Sequence, residues 1–186
     1  MKISLSRRTA AVSIVAAVAL TAAGATASAD TQRAVNAKEP SLVGTAKVHY
    51  SYAANDDIRF DFNARGYYTL ARGTFHFRHS GVRPDGTLET GEAWGKVDCL
   101  ATGGDTATMT GTITRTDPPG LMEGSVAFSV AGQGRHQRLG FSWGVLPPAA
   151  DLPKCYAIAP FTTVTDGHFD VRDAPLPPAP PPWLPQ

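Results

Sequence analysis

An all-β fold, a single antiparallel domain of about eight strands forming a barrel or a two-sheet sandwich, is what this sequence predicts. Three observations carry the prediction. A period of two begins near residue 44 and persists, turn residues recur at short intervals, and no window shows an apolar stripe of helical period. A strand sends successive side chains to opposite faces, so a half-buried strand places apolar residues at every second position.

The chain opens with Lys2, Arg7 and Arg8 ahead of an uncharged stretch, Thr9 to Ala29. Ser13 and Thr21 break that stretch and Ala27-Ser28-Ala29 closes it in small residues. These features predict a signal peptide over residues 1–29, cleaved before Asp30, rather than a membrane span, which needs about 20 continuous apolar residues. Ser6-Arg7-Arg8 invites a twin-arginine reading, but Ala10 and Ala11 stand where that signal carries bulky apolar residues, so general secretion is expected. Residues 30–43 are polar and aperiodic, a disordered lead-in. The β domain is expected over residues 44–173.

Within the domain, Val48, Tyr50 and Tyr52 alternate with Lys47, His49 and Ser51. Ile58, Phe60, Phe62 and Ala64 form the next run, and Phe75 and Phe77 the third. Asn55-Asp56-Asp57, Gly66, Ser80-Gly81 and Pro84-Asp85-Gly86 supply the turns. Ala93, Gly95, Val97 and Cys99 share a parity, and their small side chains suit a bent strand or close packing against a neighbour. Beyond Gly103-Gly104-Asp105, Ala107, Met109, Gly111 and Ile113 oppose an outer row of threonines. Val126, Phe128 and Val130, then Leu139, Phe141, Trp143 and Val145, then Phe169 and Val171 complete the set. Residues 174–186, "APLPPAPPPWLPQ", hold seven prolines in thirteen positions and predict an extended polyproline tail, a spacer or a Pro-x-x-Pro ligand.

Loss of the leader takes Lys plus Arg from 17 to 14 against 16 Asp plus Glu, a net of −2. That balance argues against a nucleic-acid partner. Two cysteines in an exported chain are expected to pair, Cys99 with Cys155, since redox and metal chemistries use closer spacing. The bond would pin the irregular stretch 146–160 to the strand that carries Cys99.

Few residues suggest chemistry. Gly140-Phe141-Ser142-Trp143-Gly144 matches the nucleophile-elbow pattern, with Asp151 or Asp166 and then His168 following in hydrolase order. The elbow needs a strand turning into a helix, and Ser142 instead falls on the wet face of an alternating run, so hydrolysis by Ser142, Asp166 and His168 is kept only as the alternative. His49, His76, His79, His136 and His168 lack metal-ligand spacing, and no cofactor is expected. Asn55-Asp56-Asp57 with Asp61 lacks the ligand spacing of a calcium loop. Arg135 and His136 form a cationic hairpin tip suited to a small anion. Trp94, opposite in parity to Ala93 and Gly95, should point outward, where it could stack on a sugar or dock on a partner.

The segments "DDIRFDFNARG", "ARGTFHFRHSGVRPDGT", "GKVDCLATGGDTATMTGTITRTD", "RLGFSWGV", "KCYAIAPF" and "GHFDVRD" resemble small secreted actinomycete proteins labelled repetin. The similarity covers about residues 44–173, includes Cys99 and Cys155, and leaves out the Pro-rich tail. The resemblance implies secretion, one β domain and a disulfide, and brings no activity, substrate or cofactor. The expected function is non-enzymatic binding of an extracellular ligand or envelope component, through a barrel mouth or the Trp94 face.

Overall fold

The computed structural model describes residues 39–145 and 152–174. The leader, most of the lead-in and the Pro-rich tail from residue 175 lie outside the described residues. The eight strands are β1 (Ser41–His49), β2 (Asp57–Arg65), β3 (Arg72–Val82), β4 (Leu88–Gly103), β5 (Thr106–Asp117), β6 (Ser125–Ala131), β7 (Arg138–Phe141) and β8 (Thr162–Arg172). Each pairs antiparallel with its chain neighbour, and β8 pairs back onto β1. The sheet is therefore a closed barrel, and the sandwich alternative is excluded. No helix among the described residues is long and apolar enough to cross a membrane.

The first strand starts at Ser41, earlier than the domain start expected at residue 44. Leu42 is fully buried and sits between Ala64 of β2 and Val171 of β8. One buried leucine before Gly44 is too short a run to reveal a period. At its other end β1 stops at His49, where the alternation was expected to continue to Tyr52. A 3-10 turn, Ser51–Ala53, follows, and the Tyr50 hydroxyl donates to the Gly144 carbonyl at 2.9 Å.

Phenylalanine fills the barrel. Phe60, Phe62, Phe75, Phe128 and Phe169 are almost fully buried, and Phe62 lies 4.9 Å from both Phe128 and Phe169, centroid to centroid. The space for these rings comes from β4 and β5. A Cβ on Gly95 would stand 2.0 Å from the Phe75 ring, and one on Gly111 would stand 2.6 Å from it. Large side chains from one wall interlock with small ones from the other, as an eight-stranded barrel interior requires.

Two bulges interrupt β4 against β5. The second lies at Asp98, between the pairs Val97↔Gly111 and Cys99↔Thr110, and reverses the parity that follows. Cys99 therefore leaves the inward row to which the alternation assigned it, and Leu100 takes the inward place opposite Met109. Facing outward, Cys99 bonds Cys155, with the Cα atoms 5.2 Å apart. The segment 152–161 thereby lies along the outside of β5 and β6. Ser129 Oγ donates to the Ile158 carbonyl at 2.6 Å, and Thr110 Oγ1 accepts the Cys155 N–H at 3.1 Å while donating to Asp98 at 2.6 Å. Thr110 and Ser129 are thus buried although their parity faces away from the core.

Candidate functional site

The barrel has two mouths. The chain enters and leaves at the terminal mouth. The hairpin mouth is ringed by the Ser51–Ala53 turn, the projecting β3–β4 hairpin, the β5–β6 connection and the Ser142–Gly144 turn. An open cleft of about 390 Å³ lies at the hairpin mouth, within the size range of small-molecule sites.

The cleft follows from local sequence. The run expected to continue as a strand through Val145 stops at Phe141, and Ser142–Gly144 coils into a 3-10 turn. That turn carries Trp143 back over the barrel end, where it stacks on Phe77 at 4.2 Å and meets Phe128 edge to face at 5.5 Å. Trp143 and Phe77 form the apolar floor. On one side the connection Pro118-Pro119-Gly120-Leu121-Met122-Glu123-Gly124 folds inward, with Met122 packed on the core and Leu121 against Gly91. A Cβ on Gly91 would stand 2.6 Å from the Leu121 side chain, so glycine is what lets this connection close in.

The other wall is the inner face of the hairpin: His79, Gly81, Arg83, Glu89 and Gly91. His79 Nε2 lies 2.6 Å from the Asp56 carboxylate, and Gly81 leaves the space in which that carboxylate rests. Arg83 Nε donates to Glu89 at 2.6 Å. Hydrogen bonding from Arg83 holds the Glu89 carboxyl below its usual range, and the charges of Arg83 and His79 add to the effect. Glu89 is therefore an anion through the neutral range. Tyr52, Val82, Leu88, Leu121 and Val145, all exposed, stand around this same mouth. An aromatic floor, a charged rim and a projecting apolar fringe thus surround the cleft.

The residues singled out from sequence lie elsewhere. Cys99 and Cys155 are joined as expected. Trp94 points outward as expected, but both its faces are covered by cross-strand neighbours. The His76 ring stacks on one at 4.7 Å and the Arg115 guanidinium lies 3.6 Å from the ring centroid. His76 is itself held by Glu92 at 2.7 Å. A sugar ring therefore has no open face of Trp94 to stack on. Arg135 and His136 form an exposed 3-10 turn beside the terminal mouth, away from the cleft.

Ser142 corrects its expected place on a solvent face. It is 5% exposed, and its hydroxyl accepts the Ala127 N–H at 3.2 Å, giving that amide near the start of β6 its partner. Asp166 and His168 are exposed on β8. The β7–β8 register sets Leu139 opposite Thr162, which puts Ser142 about nine residues of strand from His168, roughly 30 Å. Those three side chains form no triad, and Asp151 lies outside the described residues. No group of three or more His, Cys, Asp or Glu among the described residues is arranged to hold a metal.

Sequence reasoning weighed Asp56 and His79 only as metal ligands, passed over Leu121 and Met122, and did not bring these four together with Trp143 at one mouth. One signal was available: Leu121 and Met122 are large apolar residues inside a Pro- and Gly-bracketed connection, where a solvated loop would carry polar ones. Comparison with known proteins yields no significant match to a family model, a curated protein or a solved structure.

Proposed function

We propose that this chain is an exported binding module, not an enzyme, and that its ligand is an apolar or amphipathic small molecule held at the hairpin mouth. The observation that carries the reading is the cleft itself. The barrel interior is filled with phenylalanine, and aromatic surface reaches solvent where Trp143 and Phe77 floor an open space of ligand size. The exposed apolar side chains around that mouth supply further contact area. Export is supported by the leader-like residues 1–29, by the resemblance to secreted repetin-labelled proteins and by the disulfide, a bond suited to oxidising compartments. Association with a cell envelope through the Pro-rich tail is compatible with this reading.

Chemical-shift mapping tests the proposal. Titration with neutral apolar probes such as 1-octanol should shift the amides of Phe77, Gly91, Leu121, Met122 and Trp143. The Met122→Glu variant, which places a charge against the floor, should abolish those shifts while retaining the folded spectrum. Shifts confined to the His76–Trp94–Arg115 face, or none at saturating probe, would refute it.

A further inference from the structure

Resting on the hairpin-mouth reading, one feature of that mouth specifies the ligand's charge. We infer that the cleft selects amphipathic cations, with an apolar body against Phe77, Met122 and Trp143 and an ammonium group among the rim carboxylates. Two observations converge on this class. The first is the floor: the indole of Trp143 is the side chain whose ring face best attracts an organic cation, and here it lines an open cleft.

The second is the rim. The segments 50–56, 80–91 and 117–124 present Asp56, Asp85, Glu89, Asp117 and Glu123, and Arg83 is their one Lys or Arg. Arg83 is engaged by Glu89, and Asp56 faces into the cleft beside His79. Asp57, next in sequence, does not belong to this set, because Lys47, Arg59 and Arg78 surround it on the outer face.

A neutral amphiphile gains apolar burial alone in the cleft, and an anionic one meets the rim carboxylates. The order of affinity follows as cation, then neutral, then anion.

Calorimetric titration of the purified, oxidised protein with octyltrimethylammonium, 1-octanol and octanoate, each below its aggregation threshold, tests that order. At low ionic strength the ammonium probe should bind about fivefold more tightly than octanol, a preference that a few rim charges at high effective dielectric can supply, with octanoate weakest. Added salt should erase the preference. So should the Asp117→Asn/Glu123→Gln double variant, whose exposed sites leave the floor untouched. If octanol binds and the ammonium probe binds no tighter, the cation inference falls while the mouth reading stands. If none of the three binds, the mouth reading itself falls.

Discussion

Gln137 does for β8 what a longer β7 would have done. The strand β7 has four residues against eleven in β8, so most of the inner edge of β8 lacks a strand partner. The buried Gln137 amide spans this gap: its Nε2 donates to the Phe169 carbonyl at 2.6 Å and its Oε1 accepts the Phe169 N–H at 2.8 Å. Leucine at this position would leave two buried backbone groups unpaired, so Gln137→Leu should cost about 3 kcal/mol in urea unfolding. A loss under about 0.5 kcal/mol would show that water replaces the amide. Asp57 makes a second residue-level prediction. Lys47 above all, with Arg59, holds its carboxyl below the usual aspartate value against an opposing effect of burial. Its folded pKa is depressed, so its contribution is present above the unfolded value near 4 and is lost as pH falls through the folded value. Asp57→Asn should cost less than about 1 kcal/mol near neutral pH, since the group is partly exposed, and the gap to the parent should close in acid. Neither role is legible from sequence. Gln137 sits in a polar run, Arg135 to Arg138, that reads as a solvated tip, and the partners of Asp57 come from three strands whose register only the folded barrel sets.

At the scale of the element, alternation was enough to place strands and assign most inward faces, as at Ile58, Phe60, Phe62 and Ala64 or at Val126, Phe128 and Val130. It failed where a single residue changes the count. The bulge at Asp98 turns Cys99 outward, and no composition signal marks it, because an extra residue in a strand alters hydrogen bonding before it alters residue type. The disulfide depends on that turn, since an inward Cys99 would have faced the filled interior. Cys155 holds a left-handed backbone, φ 61°, and its N–H is fixed on Thr110, so strand and crossover are tied at two points. The bond closes a loop of sequence separation 56, for which chain entropy gives about 4 kcal/mol. The paired Cys99→Ala/Cys155→Ala variant should lose stability of that order in denaturant. It should also become sensitive to protease within residues 152–160 below its global transition, because the outer cover of β6 opens first. Cleavage at the same rate in parent and variant would mean that Ser129 and Thr110 hold the crossover without the bond.

For the molecule as a whole, closure is the property a period of two leaves open, since a barrel and a sandwich bury alternate residues alike. Closure is settled at one seam, where β1 meets β8, and two glycines make that approach possible. Gly44 has φ +143° and a Cβ there would stand 2.3 Å from the His168 carbonyl oxygen. Gly167, on the facing strand, has φ +75° and a Cβ there would stand 2.1 Å from the Thr45 carbonyl oxygen. Both obstacles are backbone, which cannot rotate aside, and both dihedrals are strained for any residue with a side chain. Gly44→Ala should therefore cost about 3 kcal/mol, with a Tm lower by about 10 °C in a domain of this size. The seam joins strands from opposite ends of the domain, so opening it exposes the phenylalanine interior to water along its whole length. Amide exchange in Gly44→Ala should accordingly quicken in β4 and β5, on the far side of the barrel, by the same factor as in β1 and β8. Loss of protection in β1 and β8 alone would show instead that the seam frays locally, and that the remaining six strands keep the core without it.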